Sequence, residues 1–432
     1  FTVGPIFENP TFRNIAPRFG FAWDVKGDGR TAVRGGFGIL YDVGQWGASL
    51  DRIVGGRGPW SGSTVAEAST LGVPFIQLSN LQVESLVGRQ AGTQVQTYDY
   101  HIQSPHMLSY NLAVERELPA QLGLTVAYSG SRGINLENQR DAAVRPPTVL
   151  ADGRFFWTGT EPLSNPRYQS INLVTGNLDS FYNSLQATVR RQLSGGLQFQ
   201  TAYTWSKLID ERGGGSGGDG GGSISQSHVF LPKEIDRGRS AFTLGHSLRT
   251  SAVYRLPRFA LTGIAAGLLN GWWTSGILTV QDGTPFSVSV TGSNRSRRGG
   301  RANRPDLNPG RNDSNITSGT TAGCNGVAPG QQLGGPELYY DPCAFSLQPA
   351  GFLGNAGMNI LTAPGLFNLD FSLVKDTALP RLGESGALQF RVETFNVLNR
   401  ANFVRPSQPV FSAPSATVLP DTGRITGTNT KA

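Results

Sequence analysis

Three observations predict an all-β, antiparallel barrel segment. Apolar and polar residues alternate with a period of two in ten segments, turn chemistry joins these segments in pairs, and every second connection is long. Each predicted strand is about nine to eleven residues, the length a tilted strand needs to cross a bilayer.

The alternation starts near the N-terminus. Between Pro17 and Val25, Phe19, Phe21, Trp23 and Val25 share one face, with Arg18, Gly20, Ala22 and Asp24 on the other. Lys26-Gly27-Asp28-Gly29 supplies a turn, and Thr31 to Tyr41 resumes with Val33, Phe37, Ile39 and Tyr41 on one side. Leu108, Tyr110, Leu112 and Val114 alternate with polar neighbours, then Leu122, Leu124, Val126 and Tyr128 do the same. Leu185, Ala187 and Val189 precede the turn Ser194-Gly195-Gly196, which leads into Leu197, Phe199, Thr201, Tyr203 and Trp205. Weaker strands run from about His246 to Leu256 and from about Gly271 to Gln281. Phe367, Leu369, Phe371 and Leu373 form the ninth, and Leu388, Phe390 and Val392 the tenth.

Connections inside the hairpins are mostly short, whereas those between hairpins span roughly 42 to 107, 131 to 180, 208 to 243 and 283 to 365. Outer-membrane barrels have this asymmetry, with short periplasmic turns and long extracellular loops. Such a barrel gathers aromatic residues where its strands cross the two interfaces. Tyr41, Tyr110, Tyr128, Tyr203 and Trp205 lie at the long-loop ends, and Tyr254 and Trp272 at the short-turn ends. Glu115, Arg190, Arg249, Asp370, Arg391 and Glu393 fall on the polar side and would face a wet lumen; the solvated face of an ordinary antiparallel sheet has the same alternation.

Composition removes other classes. Of 432 residues 57 are Gly, and only 16% are charged. No apolar run approaches the ~20 residues of a membrane helix; the longest candidate, Phe259 to Leu269, contains Thr262 and two glycines. Seven Trp, 11 Tyr and 23 Phe supply more apolar surface than a disordered chain carries. The net charge of +7 is mild and dispersed, and only five basic residues are Lys, so no nucleic-acid partner is expected. Phe1 stands first with no signal-like segment before it, so a processed or truncated start is expected.

Four stretches carry a family resemblance: NIAPRFGFAWDVKGDGRTAVRGGFGILYD (Asn14 to Asp42), YNSLQATVRRQLSGGLQFQTAYTWSKLID (Tyr182 to Asp210), GILTVQDGTPFSV (Gly276 to Val288) and LQFRVETFNVLNRANF (Leu388 to Phe403). In this order they resemble the barrel half of TonB-dependent receptors of the Oar-like type. The resemblance implies the C-terminal part of a receptor barrel over residues 1–432, in the outer membrane of a Gram-negative bacterium. Neither plug nor TonB-contacting segment is recognisable, and the closing strand expected after Gly423-Arg424-Ile425-Thr426 is missing, so an incomplete barrel is expected. Its implied partners are outer-membrane lipid, an unknown solute bound by the loops, and the TonB complex reached through the missing plug region. A passive porin or surface adhesin, or a secreted soluble carbohydrate-binding β protein, are the competing readings.

No constellation for covalent chemistry is found, and neither enzymatic activity nor a cofactor or metal is expected. His101, His106, His228 and His246 are scattered, and no G-x-S-x-G elbow occurs. The run Gly213 to Gly222 lacks the Lys and Ser/Thr of a phosphate loop and reads as a flexible loop tip. Arg295, Arg297, Arg298, Arg301 and Arg304 crowd one long loop, where they would either meet surface sugar phosphates or an acidic ligand, or remain solvated. Cys324 and Cys343 follow in the same loop, either as a loop-closing disulfide or as two thiols.

Overall fold

The computed structural model describes residue 8, residues 14–42, 93–166, 168–211, 225, 226, 228–292, 294–298, 303–379 and 386–429. Ten long strands form one antiparallel meander: β1 (Arg18–Asp24), β2 (Thr31–Tyr41), β3 (His106–Leu118), β4 (Leu122–Asp141), β5 (Tyr168–Ser194), β6 (Leu197–Asp210), β7 (His246–Arg255), β8 (Trp272–Gln281), β9 (Leu366–Ala378) and β10 (Ala387–Thr394). Each pairs with its sequence neighbours, and β1 and β10 are the free edges of a sheet that does not close among the described residues. A short strand, Thr93–Tyr98, adds in parallel to β5, and Gly238–Arg239 extends the ladder beside β6.

The short turns follow from local chemistry. Asp24 accepts the backbone N–H groups of Gly27 and Gly29 at 3.0 and 2.8 Å, closing the β1–β2 turn while both glycines take positive φ. Gly195 and Gly196 both lie at positive φ between β5 and β6, the geometry that matches strand twist. The β7–β8 connection departs from the expected pattern of short turns. It carries a helix, α1 (Gly263–Leu269), whose Ile264, Leu268 and Leu269 are exposed, and the Leu268 carbonyl accepts from Trp272 Nε1 at 2.8 Å.

β4 and β5 run well past the length needed to cross a bilayer, being 20 and 27 residues long. The expected loop of about 131 to 180 therefore shrinks to 142–167. Alternation could not reveal this extension, because Arg132, Gly133, Asn135 and Asn138 lie above the apolar band, where neither face needs grease.

Register places the apolar residues of neighbouring strands in rows on one face. One row reads Phe21, Gly35, Leu112, Tyr128, Leu185, Trp205 and His246, each opposite the next. Among the described residues no second layer covers this face: Leu112 is 48% exposed, Val126 38%, Trp205 57% and Phe390 57%. In water such a patch would be far larger than soluble proteins tolerate. Its glycines are roofed by aromatic rings, since Phe21 lies where a Cβ on Gly35 would project and Tyr110 does the same at Gly130.

The packed interior lies elsewhere. Residues from the β8–β9 connection and from the chain after β10 form a cap at the long-loop rim, with a core of Phe286, Val288, Val290, Ile316, Tyr340, Phe345, Leu361, Val410, Phe411 and Val418. Ser289–Gly292 and Pro409–Ala413 pair in parallel across it. Each fully buried large side chain of this kind contributes about 1.5–3 kcal/mol.

Candidate functional site

Two surfaces can meet a solute: the polar face of the sheet and the cap above its rim. On the sheet, Glu115 stands opposite Ala32 and Thr125, Arg190 opposite Gly123 and Gln200, and Arg249 opposite Ala202 and Thr279. Asp370 stands opposite Ile277, Arg391 opposite Val374, and Glu393 opposite Ser372. All six share the face turned away from Leu112, Val126 and Trp205. Arg34 joins them, 3.5 Å from Glu115. Its place between Val33 and Gly35 in β2 already put it on the polar side of the alternation, which is the signal by which it could have been found. Arg391 pairs with Glu393 at 3.3 Å, and Asp370 accepts from the Asn396 N–H and from Asn368 Nδ2, both at 2.9 Å. Exposed pairs of this kind add little stability; their effect is to keep the face charged and wet. A groove of ≈ 670 Å³ runs along Arg34, Glu115, Glu117 and Arg190 at the short-turn end.

The aromatic residues fall at two levels of the opposite face. Tyr110 and Tyr128 lie 6.2 Å apart, and Tyr128 Oη donates to Asn183 Oδ1 at 2.6 Å. Tyr203 and Trp205 flank His246, with ring centroids 6.1 and 6.5 Å away, and Tyr41 lies 5.1 Å from His106. At the short-turn end Tyr254 pairs with Leu197 and Thr274, and Trp272 lies under the Lys375 ammonium at 5.5 Å.

The arginine-rich loop is not one cationic patch. Arg295 Nε donates to the Gln348 carbonyl at 3.0 Å, and exposed Arg297 donates to the Thr158 carbonyl at 2.9 Å. Arg298 and Arg304 point into the cap and are only 1% and 2% exposed. Arg298 donates to the Gln226 carbonyl, and Arg304 pairs with Asp236 at 2.8 Å. Burial pulls the Arg304 pKa down from its usual value, and the Asp236 carboxylate opposes that shift. The expectation of surface contact is thereby corrected for Arg298 and Arg304, because partners distant in sequence draw them inward. Arg301 and the glycine run Gly213 to Gly222 lie outside the described residues, as does most of the 42 to 107 loop.

Cys324 and Cys343 form a disulfide, Sγ–Sγ 2.06 Å and Cα–Cα 5.6 Å, inside this cap. Beside it Asp341 accepts from Thr321 Oγ1 and the Cys343 N–H and pairs with Arg311 at 2.5 Å. A second ionic knot, which the sequence did not reveal, ties the 211–245 loop to β5. Lys233 Nζ lies 2.8 Å from Asp179 and 3.2 Å from the buried Glu211. Desolvation lowers the Lys233 pKa, but these two carboxylates outweigh it and leave the value raised. Among the described residues no group of His, Cys, Asp and Glu is arranged to hold a metal ion.

A family model described as "Outer membrane beta barrel domain" matches residues 3–432. Three solved structures resemble the chain. The outer membrane transporter YddB from Escherichia coli is 8% identical, with 91% of this chain and 38% of that one covered at a TM-score of 0.46. The ferripyoverdine receptor of the outer membrane of Pseudomonas aeruginosa is 10% identical, covering 96% and 31% at 0.41. The FrpB iron transporter from Neisseria meningitidis is 11% identical, covering 95% and 38% at 0.38. The chain thus spans between 31% and 38% of the length of these structures. No curated protein matches it in sequence.

Proposed function

The chain belongs to the outer membrane beta barrel domain family and resides in the outer membrane of a Gram-negative bacterium; on that premise we propose that it forms the barrel part of a TonB-dependent, Oar-like receptor. Its extracellular cap binds a scarce solute, which passes along the polar face when a plug, supplied outside these residues, is remodelled by the TonB complex. No covalent step is assigned to it. The observation that carries the reading is the cap itself. A disulfide-closed loop assembly with its own apolar core stands over the rim of a sheet whose inner face carries Arg34, Glu115, Arg190 and Arg249. Loops on a rigid scaffold are where recognition resides, and a pore needs no such packed superstructure.

The test is growth. A strain lacking the full-length receptor and a complemented strain are compared on a panel of scarce solutes, namely ferric chelates, cobalamin, oligosaccharides and oligopeptides, each with and without TonB. The expected result is a solute whose use needs both receptor and TonB. Receptor-dependent growth that persists without TonB would instead identify a passive pore.

A further inference from the structure

Three long connections meet inside the cap in one closed circuit of contacts. Trp157, from the β4–β5 connection, lies edge-on to His228, from the β6–β7 connection, with ring centroids 5.7 Å apart. The Trp157 N–H donates to the Gly351 carbonyl and the Gly351 N–H to the Arg295 carbonyl, both at 2.9 Å, which brings in the β8–β9 connection. Arg295 Nε donates to the Gln348 carbonyl at 3.0 Å. Arg298, on the same turn, donates to the carbonyl of Gln226, two residues before His228. Trp157, Gln226, His228, Arg298 and Gln348 are all at most 1% exposed.

Two side chains in this circuit do not suit so dry a place. Gln226 and Gln348 offer their backbone carbonyls to the arginines, yet both ends of each carboxamide, Nε2 and Oε1, have no hydrogen-bond partner among the described residues. A buried carboxamide left unanswered destabilises the fold around it, and native interiors carry few such groups. Two of them, on separate connections joined by one arginine turn, mark a site whose partner comes from outside the chain. What the circuit offers defines that partner. Its arginines are engaged, Arg295 and Arg298 on carbonyls and Arg304 on Asp236, so it does not select an anion. The carboxamides present donor and acceptor side by side, a pattern that adjacent hydroxyls of a sugar ring answer, since each hydroxyl both donates and accepts. Trp157 and His228 add the apolar ring surface that small-molecule sites use.

We propose that this junction is where the cap takes a neutral saccharide, held by the Gln226 and Gln348 carboxamides beside Trp157. The proposal rests on the reading of the chain as a receptor and names the class of its solute. The structure shows the junction closed. The 294–298 turn parts from Gln226 to admit the sugar and then closes on it, so that sugar hydroxyls take the four unanswered amide positions.

The test uses the full-length receptor in detergent micelles, titrated calorimetrically with neutral oligosaccharides of glucose, xylose, mannose and galactose. The wild type binds at least one of them, and Q226L and Q348L each lose affinity about tenfold, the scale of one neutral hydrogen-bonding group. Q332L, at an exposed glutamine of the same cap, binds as wild type. Leucine has nearly the volume of glutamine and requires no polar partner, so hydrogen exchange around residues 225–236 and 348–356 stays as slow as in the wild type or becomes slower. Faster exchange there in Q226L or Q348L would show the carboxamides bonded within the cap and would overturn the proposal. Unchanged affinity in Q226L/Q348L, or a wild type that binds none of these sugars, would overturn it equally. The receptor reading has its own readout. TonB-dependent growth on a ferric chelate or cobalamin, with no sugar bound, sinks the saccharide assignment alone, whereas receptor-dependent growth without TonB sinks the reading beneath it.

Discussion

Arg304 Nη1 donates to Asp236 Oδ1 at 2.8 Å with both side chains buried, joining two loops that lie 68 residues apart in sequence. The same carboxylate accepts from the Gln226 N–H at 2.9 Å and Ser225 Oγ at 2.6 Å. An arginine that composition would place at the surface is therefore a strut inside the cap. Asp236→Ala leaves a guanidinium buried without its counter-charge, a change that costs about 3–5 kcal/mol. Hydrogen exchange on the receptor should show faster exchange around residues 225–236 and 303–307, with the ladder of β3 to β6 unaffected. Protection unchanged in the cap would mean that the pair carries no structural weight.

Reduction of Cys324–Cys343 frees a loop whose ends are 19 residues apart. A crosslink of that span stabilises by about 3 kcal/mol in the chain-entropy account. Limited proteolysis under dithiothreitol should cut within 324–343 well before it cuts the strands, and a C324S/C343S variant should behave the same without reductant.

Val126 stands between Val114 and Ala187 in the middle of the uncovered face. In a bilayer, Val126→Arg should cost about 2–4 kcal/mol, the penalty at the membrane midplane. Ser251→Arg, on the polar side of β7, should fall within experimental error. Urea unfolding in lipid vesicles measures both, and equal costs would contradict the assignment of faces.

Alkaline pH should loosen the cap before the barrel. Burial raises the Tyr339 pKa to about 12, and Tyr340, wholly buried with its hydroxyl 2.9 Å from the Ser407 carbonyl, is raised as well. A folded pKa above the unfolded value of about 10 means the stabilisation is whole below pH 10 and is lost as pH climbs through 12. Tyrosinate absorbance at increasing pH should lag behind that of the denatured chain. Proteolytic sensitivity around Tyr339 and Tyr340 should rise over the same interval.

The sheet was legible because its signals are local. Phe19, Phe21 and Trp23 declare a face by period alone, Lys26-Gly27-Asp28-Gly29 declares a turn, and unequal connections place the long loops at one rim. The membrane face could be read as well, since a sheet of ten strands leaves a row such as Leu112, Tyr128, Leu185 and Trp205 nothing else to meet. Helix α1 escaped notice because seven residues of Gly, Ala, Ile and Leu have no room for a helical period to show.

The cap was decided by tertiary structure alone. Ser289–Gly292 meets Pro409–Ala413 more than a hundred residues away, and neither segment alternates enough to announce the other. The fates of Arg298 and Arg304 followed from Gln226 and Asp236 reaching them across the fold, and so did the junction that sets Trp157 beside His228. Strand period and turn chemistry are properties of neighbours in the chain. Burial of a charge and the walls of a groove depend on which distant segments the folded backbone brings together, and that information is spread over pairs of residues that no local window contains.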